Sequence, residues 1–410
     1  DPVTKATWDN YAMVSLPFAK NILGIDLTKN DNQAIDAYEV HPDKKVIKIK
    51  VNGKEMALPT IIVPGMDSNT IGIALGYGRS EKVGRATVGA GKNAFVFTSI
   101  NGTTVEYTAP SATIEKTSET YQVAQNQVHG SYTDSLGTDR IEVVRETTLA
   151  DFKKNPEFIK EWREELGKDY TKTGEIKDYR DQGSLYNPAL NVRPGIHWGM
   201  SIDMNSCIGC GACVVACNAE NNIPIVGKTE VLRGHEMHWM RIDRYFVTNK
   251  NNPDEVVDVV FQPMLCQHCD NAPCENVCPV AATNHNSEGI NQMAYNRCIG
   301  TRYCANNCPY KVRRFNWADY TGADSFPDNQ DGHVSDATLM MNDDLTRMVL
   351  NPDVTVRSRG VMEKCTFCVQ RLQEGKLKAK KANRPLIDGD VKTACQAACP
   401  TDAIVFGNFN

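Results

Sequence analysis

Cysteine is absent from the first 206 residues of this 410-residue chain, and all 15 cysteines follow from Cys207 onward. The two halves are therefore different kinds of domain, and at this length two or three domains are expected. An excess of one charge is also lacking. The 45 basic and 50 acidic residues are intermixed and leave a net charge of -5, which excludes a nucleic-acid footprint and a polybasic membrane anchor. No run approaches the roughly 18 apolar residues of a spanning helix, so membrane contact is expected to be indirect. No C-x-x-C-H motif occurs, so the chain attaches no c-type haem of its own. No apolar signal region follows Asp1, and the expectation is a processed chain or part of a longer polypeptide.

What is present in residues 1–130 reads as a compact, largely β domain introduced by a helix. Ser15, Pro17 and Gly24 offer a cap, a first-turn proline and a terminator, so a short helix should end near Leu23. Asn52-Gly53 between Val46–Val51 and Glu55–Val63 is a hairpin signal. Further strands are expected at 71–75, 94–100 and 104–108. Gly89-x-Gly91-x-x-Ala94 fits the loose dinucleotide pattern, but β-like Phe95-Val96-Phe97 follows it, so the stretch reads as a glycine-rich loop. Residues 131–196 read as a linker, helical over 148–167 with Phe152, Phe158, Ile159, Trp162 and Leu166 on one side. In residues 197–410 a hairpin is expected from 238–247 and 255–262 around the turn Asn251-Asn252-Pro253-Asp254, and 318–351 reads as an acidic surface or docking loop.

The cysteines form runs. Cys207, Cys210, Cys213 and Cys217; Cys266, Cys269, Cys274 and Cys278; and Cys365, Cys368, Cys395 and Cys399 are quartets, and Cys298, Cys304 and Cys308 are a quartet with Thr301 in the second position. These groups use every cysteine. A disulfide framework fails on the crowding and the odd total. Structural zinc would show two C-x2-C pairs per site instead of triple runs with a fourth cysteine, often followed by proline as at Pro279, Pro309 and Pro400. The runs have the spacing of bacterial ferredoxins, in which the fourth cysteine ligates the other cluster.

Two resemblances follow. Leu58-Pro59, Val63-Pro64-Gly65-Met66, Gly76-Tyr77-Gly78-Arg79 and Gly89–Ala94 resemble the C-terminal β-barrel domain of molybdopterin oxidoreductases. The metal-holding portions of that family are absent here, so no molybdopterin is expected in this chain. Asp203–Cys210, Glu220–Pro224, Cys308-Pro309-Tyr310, Arg313–Asn316 and Arg359–Cys368 resemble the four-cluster iron-sulfur subunits of the polysulfide, tetrathionate and dimethyl sulfoxide reductases. The two joined in one chain resemble the fused iron-sulfur subunit of alternative complex III, a bacterial quinol-oxidising respiratory complex. The resemblance implies an α+β architecture, a barrel followed by a double ferredoxin-like domain with an inserted hairpin and loops.

It also implies crossed ligand sets. Cys207, Cys210 and Cys213 pair with Cys399; Cys365, Cys368 and Cys395 with Cys217; Cys266, Cys269 and Cys274 with Cys308; and Cys298 and Cys304 with Cys278. The first three sets imply 4Fe-4S clusters. Threonine is a poor soft-metal ligand, so the last site is expected to hold a 3Fe-4S cluster of high potential beside a quinol; a 4Fe-4S cluster with a water or hydroxide ligand and an inert, decayed site are the alternatives. Lys311, Arg313 and Arg314 are candidates to offset cluster charge or plain surface cations. His235, His238, His268 and His285 read as hydrogen-bonded structural histidines, and Trp239 and Trp317 as packing residues.

The implied partners are an integral membrane quinol-binding subunit and c-type cytochromes, in a hetero-oligomer on the periplasmic side of the inner membrane. Two alternatives stand beside this: the electron-transfer subunit of a molybdopterin-dependent reductase, and a zinc-stapled module. Metal analysis separates the last. Iron with acid-labile sulfide is expected in the purified protein, and stoichiometric zinc alone would exclude both redox readings.

Overall fold

The structure, a computed structural model, describes residues 2–26, 41–84, 87–126, 147–158, 160–161, 193–249, 252–321 and 344–410. Strand β1 (Ala12–Val14) leads into helix α1 (Leu16–Phe18). The Ser15 hydroxyl accepts the Phe18 N–H at 3.2 Å, and the helix continues as a π turn over Ala19–Leu23 until Gly24, at φ 72°, ends it. Asn52 and Gly53 hold φ of 51° and 76°, the geometry of a two-residue hairpin turn. They join β2 (Asp43–Val51) to β3 (Lys54–Ile62), with Val51 opposite Lys54 and Val46 opposite Pro59. Alternate residues Ile47, Ile49 and Val51 then fall on one face and pack with Val14, Phe18 and Leu58.

Strand β4 (Gly72–Ile73) pairs with β1. A small hairpin follows, β5 (Ser99–Asn101) with β6 (Thr104–Glu106), and then β7 (Thr113–Gln122). The main sheet has the order β4-β1-β3-β2-β7, with only β1 and β3 parallel. Among the described residues it stays open and does not close into the expected barrel. The strand expected at 94–100 is also divided. Asn93 accepts the Phe95 N–H and caps a 3-10 turn over Ala94–Phe97 before β5 begins. In the linker, α2 (Leu149–Lys154) is capped by Thr148 but leaves Leu149 and Phe152 69% and 43% exposed, so the expected buried side is not covered there. Trp162 and Leu166 lie outside the described residues, as does most of the 318–351 insert.

The second half runs β8 (Trp198–Ile202), α3 (Ala212–Glu220), α4 (Gly227–Leu232), β9 (Arg241–Asn249), β10 (Asn252–Met264), α5 (Pro273–Asn276), β11 (Thr283–His285), β12 (Asn291–Met293), α6 (Tyr303–Asn306), β13 (Arg314–Phe315), α7 (Asp344–Arg347), β14 (Met362–Glu363), α8 (Val369–Lys381), α9 (Ala394–Ala397) and β15 (Ile404–Asn408). Its ends are tied together. β8 and β15 pair antiparallel from Ile202 opposite Ile404 to Trp198 opposite Asn408, and the Trp198 ring stacks on Phe406 at 5.1 Å. The expected hairpin is β9–β10.

That hairpin also receives the first half of the chain. Leu16 and Phe246 share an apolar cluster with Val3, Ile62 and Val259, and Arg244 Nε donates to Val3 O at 2.6 Å. Lys228 Nζ reaches Asp9 Oδ2 at 2.5 Å and Tyr121 at 3.0 Å.

The glycine-rich stretch is held by packing. A Cβ on Gly78, at φ 70°, would lie 2.0 Å from Asn93 N, whereas one on Gly76, at φ 107°, meets nothing within 4 Å. Gly78→Ala is therefore expected to cost about 1–3 kcal/mol, and more than Gly76→Ala, in denaturant unfolding. Equal losses would contradict the close approach.

Candidate iron-sulfur site

Each cysteine run turns on a left-handed residue two places after its first cysteine. Gly209, His268, Gly300 and Phe367 hold φ of 67°, 46°, 72° and 53°. Glycine adopts this at no steric cost, and it also keeps room: a Cβ on Gly300 would meet Gly360 O at 2.5 Å. His268 and Phe367 are strained in the same conformation, and their rings stack on one another with centroids 3.8 Å apart. Each run also places a cysteine in a helix, with Cys213 in α3, Cys274 in α5, Cys304 in α6 and Cys395 in α9. These helices pack in two pairs, α3 with α9 and α5 with α6.

The pairs bring the cysteines together. Cys266, Cys269, Cys274 and Cys308 line one cavity, and Cys278, Cys298, Cys304 and Thr301 line another. Cys217 lies within electrostatic reach of Cys365, Cys368 and Cys395. Cys213 interacts with Cys207 and Cys210, and also with Cys395. Cys399 joins the same apolar cluster as Cys213, and Asp203 N–H, just before Cys207, donates to Ala403 O at 2.8 Å.

Burial is the main influence on most of these sulfurs, with repulsion from neighbouring thiols added. It pushes Cys213 up to about 12 and Cys269 and Cys368 up to about 11, and raises Cys217 and Cys365 well above the ordinary thiol value. Two cysteines that precede prolines behave oppositely. At Cys278 burial is outweighed by N–H donors from Val280, Ala282 and Thr283; at Cys399 it is outweighed by the Thr401 hydroxyl and the amides of Thr401, Ala403 and Ile404. Other donors aim at sulfur as well. Met362 N–H lies 3.4 Å from Cys298, Phe367 N–H 3.4 Å from Cys365, Ala394 N–H 3.5 Å from Cys368 and Arg313 Nη1 3.1 Å from Cys274. Converging thiols with donors directed at them suit a polynuclear cationic core that takes thiolates.

The comparisons with known proteins agree. A 4Fe-4S dicluster domain family matches residues 206–282 and 297–403, and a second family of the same description matches 257–324. The menaquinone reductase iron-sulfur cluster-binding subunit of Nitratidesulfovibrio vulgaris is 43% identical over 220 residues, covering 52% of this chain and 76% of that protein. The chain belongs to the 4Fe-4S dicluster iron-sulfur subunits. An iron-sulfur subunit of an Hdr-like menaquinol oxidoreductase from Archaeoglobus fulgidus is 33% identical over 53% of this chain and 73% of its own length. For the iron-sulfur subunit of a Shewanella arsenate respiratory reductase the figures are 33%, 52% and 82%. Both family matches leave the first-half sheet outside them.

Of the three cations considered as charge offsets for this dicluster subunit, Arg313 alone is seen to bond sulfur. Lys311 donates to Asn306 O, and Arg314 donates to His238 O and faces Glu236 at 3.8 Å. The four histidines are hydrogen-bonded: His235 to Glu230, His238 to Asn218, His268 to the Asn291 amide and His285 to Glu275. Trp239 is buried and donates to Glu363, while Trp317 is half-exposed beneath the Arg302 guanidinium. Sequence reasoning missed the His268–Phe367 stack. Its only signal is that these residues occupy the position held by glycine in the other two runs.

His238 gives a pH test. Burial, then the charge of Arg314, push its ring from 6.5 down to about 4. The folded value lies below the unfolded one, so the neutral ring's contribution is complete above pH 6.5 and is lost as pH falls from there through about 4. His238→Gln keeps an acceptor for the Asn218 amide and is expected to flatten this loss in denaturation midpoints measured from pH 7.5 to 4.5. An unchanged slope would refute it.

Proposed function

We propose that this chain is the electron-transfer subunit of a membrane-bound quinol-oxidising respiratory complex of the alternative complex III type. Three 4Fe-4S clusters would be held by Cys207, Cys210, Cys213 and Cys399; by Cys365, Cys368, Cys395 and Cys217; and by Cys266, Cys269, Cys274 and Cys308. A 3Fe-4S cluster would be held by Cys298, Cys304 and Cys278, with Thr301 at the vacant ligand position. When bound, such clusters supply one-electron redox stations tuned by hydrogen bonds to sulfur and by exposure. The partners are a quinol-binding membrane subunit and c-type cytochromes on the periplasmic side, and the first-half sheet is a molybdopterin-oxidoreductase-like unit without that cofactor.

The observation that carries this is the state of the Thr301 loop. Gly300 and Arg302 hold φ of 72° and 61°, matching Gly209 and Gly211 at 67° and 78° in the first run. The loop keeps the ligand-turn backbone and lines a cavity together with Cys278, Cys298 and Cys304, as a working site would and a decayed one need not. Thr301 is exposed, and Ile299 and Tyr303 beside it are 64% and 55% exposed, an apolar surface suited to a partner.

The cysteine sets also follow one another in space. Arg313 lines both cavities of the α5–α6 pair; Cys266, Cys308 and Cys365 share one apolar cluster; and Cys213 interacts with Cys395. At the far end of this series Cys210 and Ile208 are exposed. A series open at both ends suits a conduit between two partners.

The second reading, the electron-transfer subunit of a molybdopterin-dependent reductase, is favoured by the arsenate respiratory reductase relative. Molybdenum or tungsten in the purified complex would select it, and covalent haem in co-purifying subunits selects the first. Electron paramagnetic resonance of the oxidised protein is expected to show a 3Fe signal that Thr301→Cys removes by completing a fourth ligand. Its absence from the wild type would defeat the assignment of Thr301 to a 3Fe-4S site.

A further inference from the structure

Among the described residues, Arg313 is the one that lines both the Cys278–Cys298–Cys304 cavity and the Cys266–Cys269–Cys274–Cys308 cavity. It is 5% exposed. Its Nη1 donates to Cys274 Sγ at 3.1 Å and to Asn291 Oδ1 at 3.4 Å, and Nη2 lies 3.4 Å from Met293 Sδ. Cys304, in the other cavity, lies within its electrostatic reach. Nε has no acceptor, and no carboxylate pairs with the guanidinium among the described residues. A buried cation without a carboxylate is costly unless other anions neutralise it. Here the available anions are thiolates from two different sites. The planar fork, with donors on two terminal nitrogens held in fixed geometry, can face both at once.

We propose that Arg313 is a shared potential-setting residue, its single buried charge favouring reduction at both adjacent cluster sites together. The inference rests on the cluster assignment above. Reduction adds negative charge at a site, and a fixed cation bonded to that site's thiolate stabilises the reduced form more than the oxidised one. Because one guanidinium lines both cavities, the two potentials are expected to respond to the same substitution. The cysteines of the α3–α9 pair, to none of which Arg313 is seen to bond, should not respond.

The test is a redox titration of the complete complex, followed by electron paramagnetic resonance, for wild type, Arg313→Gln and, as a control, Lys311→Gln. Arg313→Gln is expected to weaken reduction about tenfold at each of the two adjacent sites, equal to about 59 mV for a one-electron couple. The other two sites and the Lys311→Gln protein should match the wild type. If iron and sulfide content hold while neither or only one of the two midpoints moves, the shared role is overturned and the cluster assignment stands. If the wild type holds no iron or sulfide, both fail. Should Arg313→Gln lose its clusters, Arg313→Lys decides. It keeps the single charge between the two sites, so both midpoints are expected to stay together near the wild-type values, and a fall at one site alone overturns the shared role.

Discussion

Crowded buried thiols conflict with one another until a cation arrives. Burial and mutual repulsion press the sulfurs of Cys213, Cys217 and Cys365 towards the protonated state. Donors on other sulfurs pull the opposite way, as at Cys278 and Cys399. A metal core resolves the conflict by placing positive charge where the sulfurs meet, so cluster binding and folding of this half are coupled. The left-handed turns, the short helices and the β8–β15 closure all serve that convergence.

Around the sites the framework is polar as well as apolar. Arg357 and Glu363 form a fully buried pair at 2.9 Å, and Trp239 Nε1 and Asn316 Nδ2 also donate to Glu363. Arg357 Nη1 and Nη2 reach the carbonyls of Asn221 and Asn222, and the Asn222 side chain holds the Asn351 and Val354 carbonyls. Such a network fixes one arrangement more than it adds net stability. It seats the end of α3 against the chain entering the fourth run, and so sets how α3 meets α9.

Features whose physics is local were legible in the sequence. Ser15, Pro17 and Gly24 mark a helix because each acts on its own turn, and Asn52-Gly53 marks a hairpin because two residues must hold positive φ. The four cysteine runs were legible from their spacing, whereas the crossed sets came only with the family resemblance. What depends on distant partners was not. β7 shows no apolar alternation, since it is an exposed strand held by backbone pairing to β2. Ala94–Phe97 has strand-forming residues, yet the Asn93 cap turns it into a 3-10 turn. Arg313 could be named as a cation, but its place between two cavities follows from the packing of α5 against α6.

The two helix pairs are nested in the chain. The inner pair, α5 and α6, lies within residues 273–306, whereas the outer pair, α3 and α9, begins at residue 212 and closes only at 397, with β15 sealing it to β8. During synthesis from the N-terminus the inner pair is complete about a hundred residues before the outer one can form. Closing a short loop also demands less chain entropy than closing a long one. Packing thus has a built-in order: α5 and α6 can meet first, the threonine cavity closes once Met362, which lines it, has been made, and the outer pair still waits for Cys395 and Cys399.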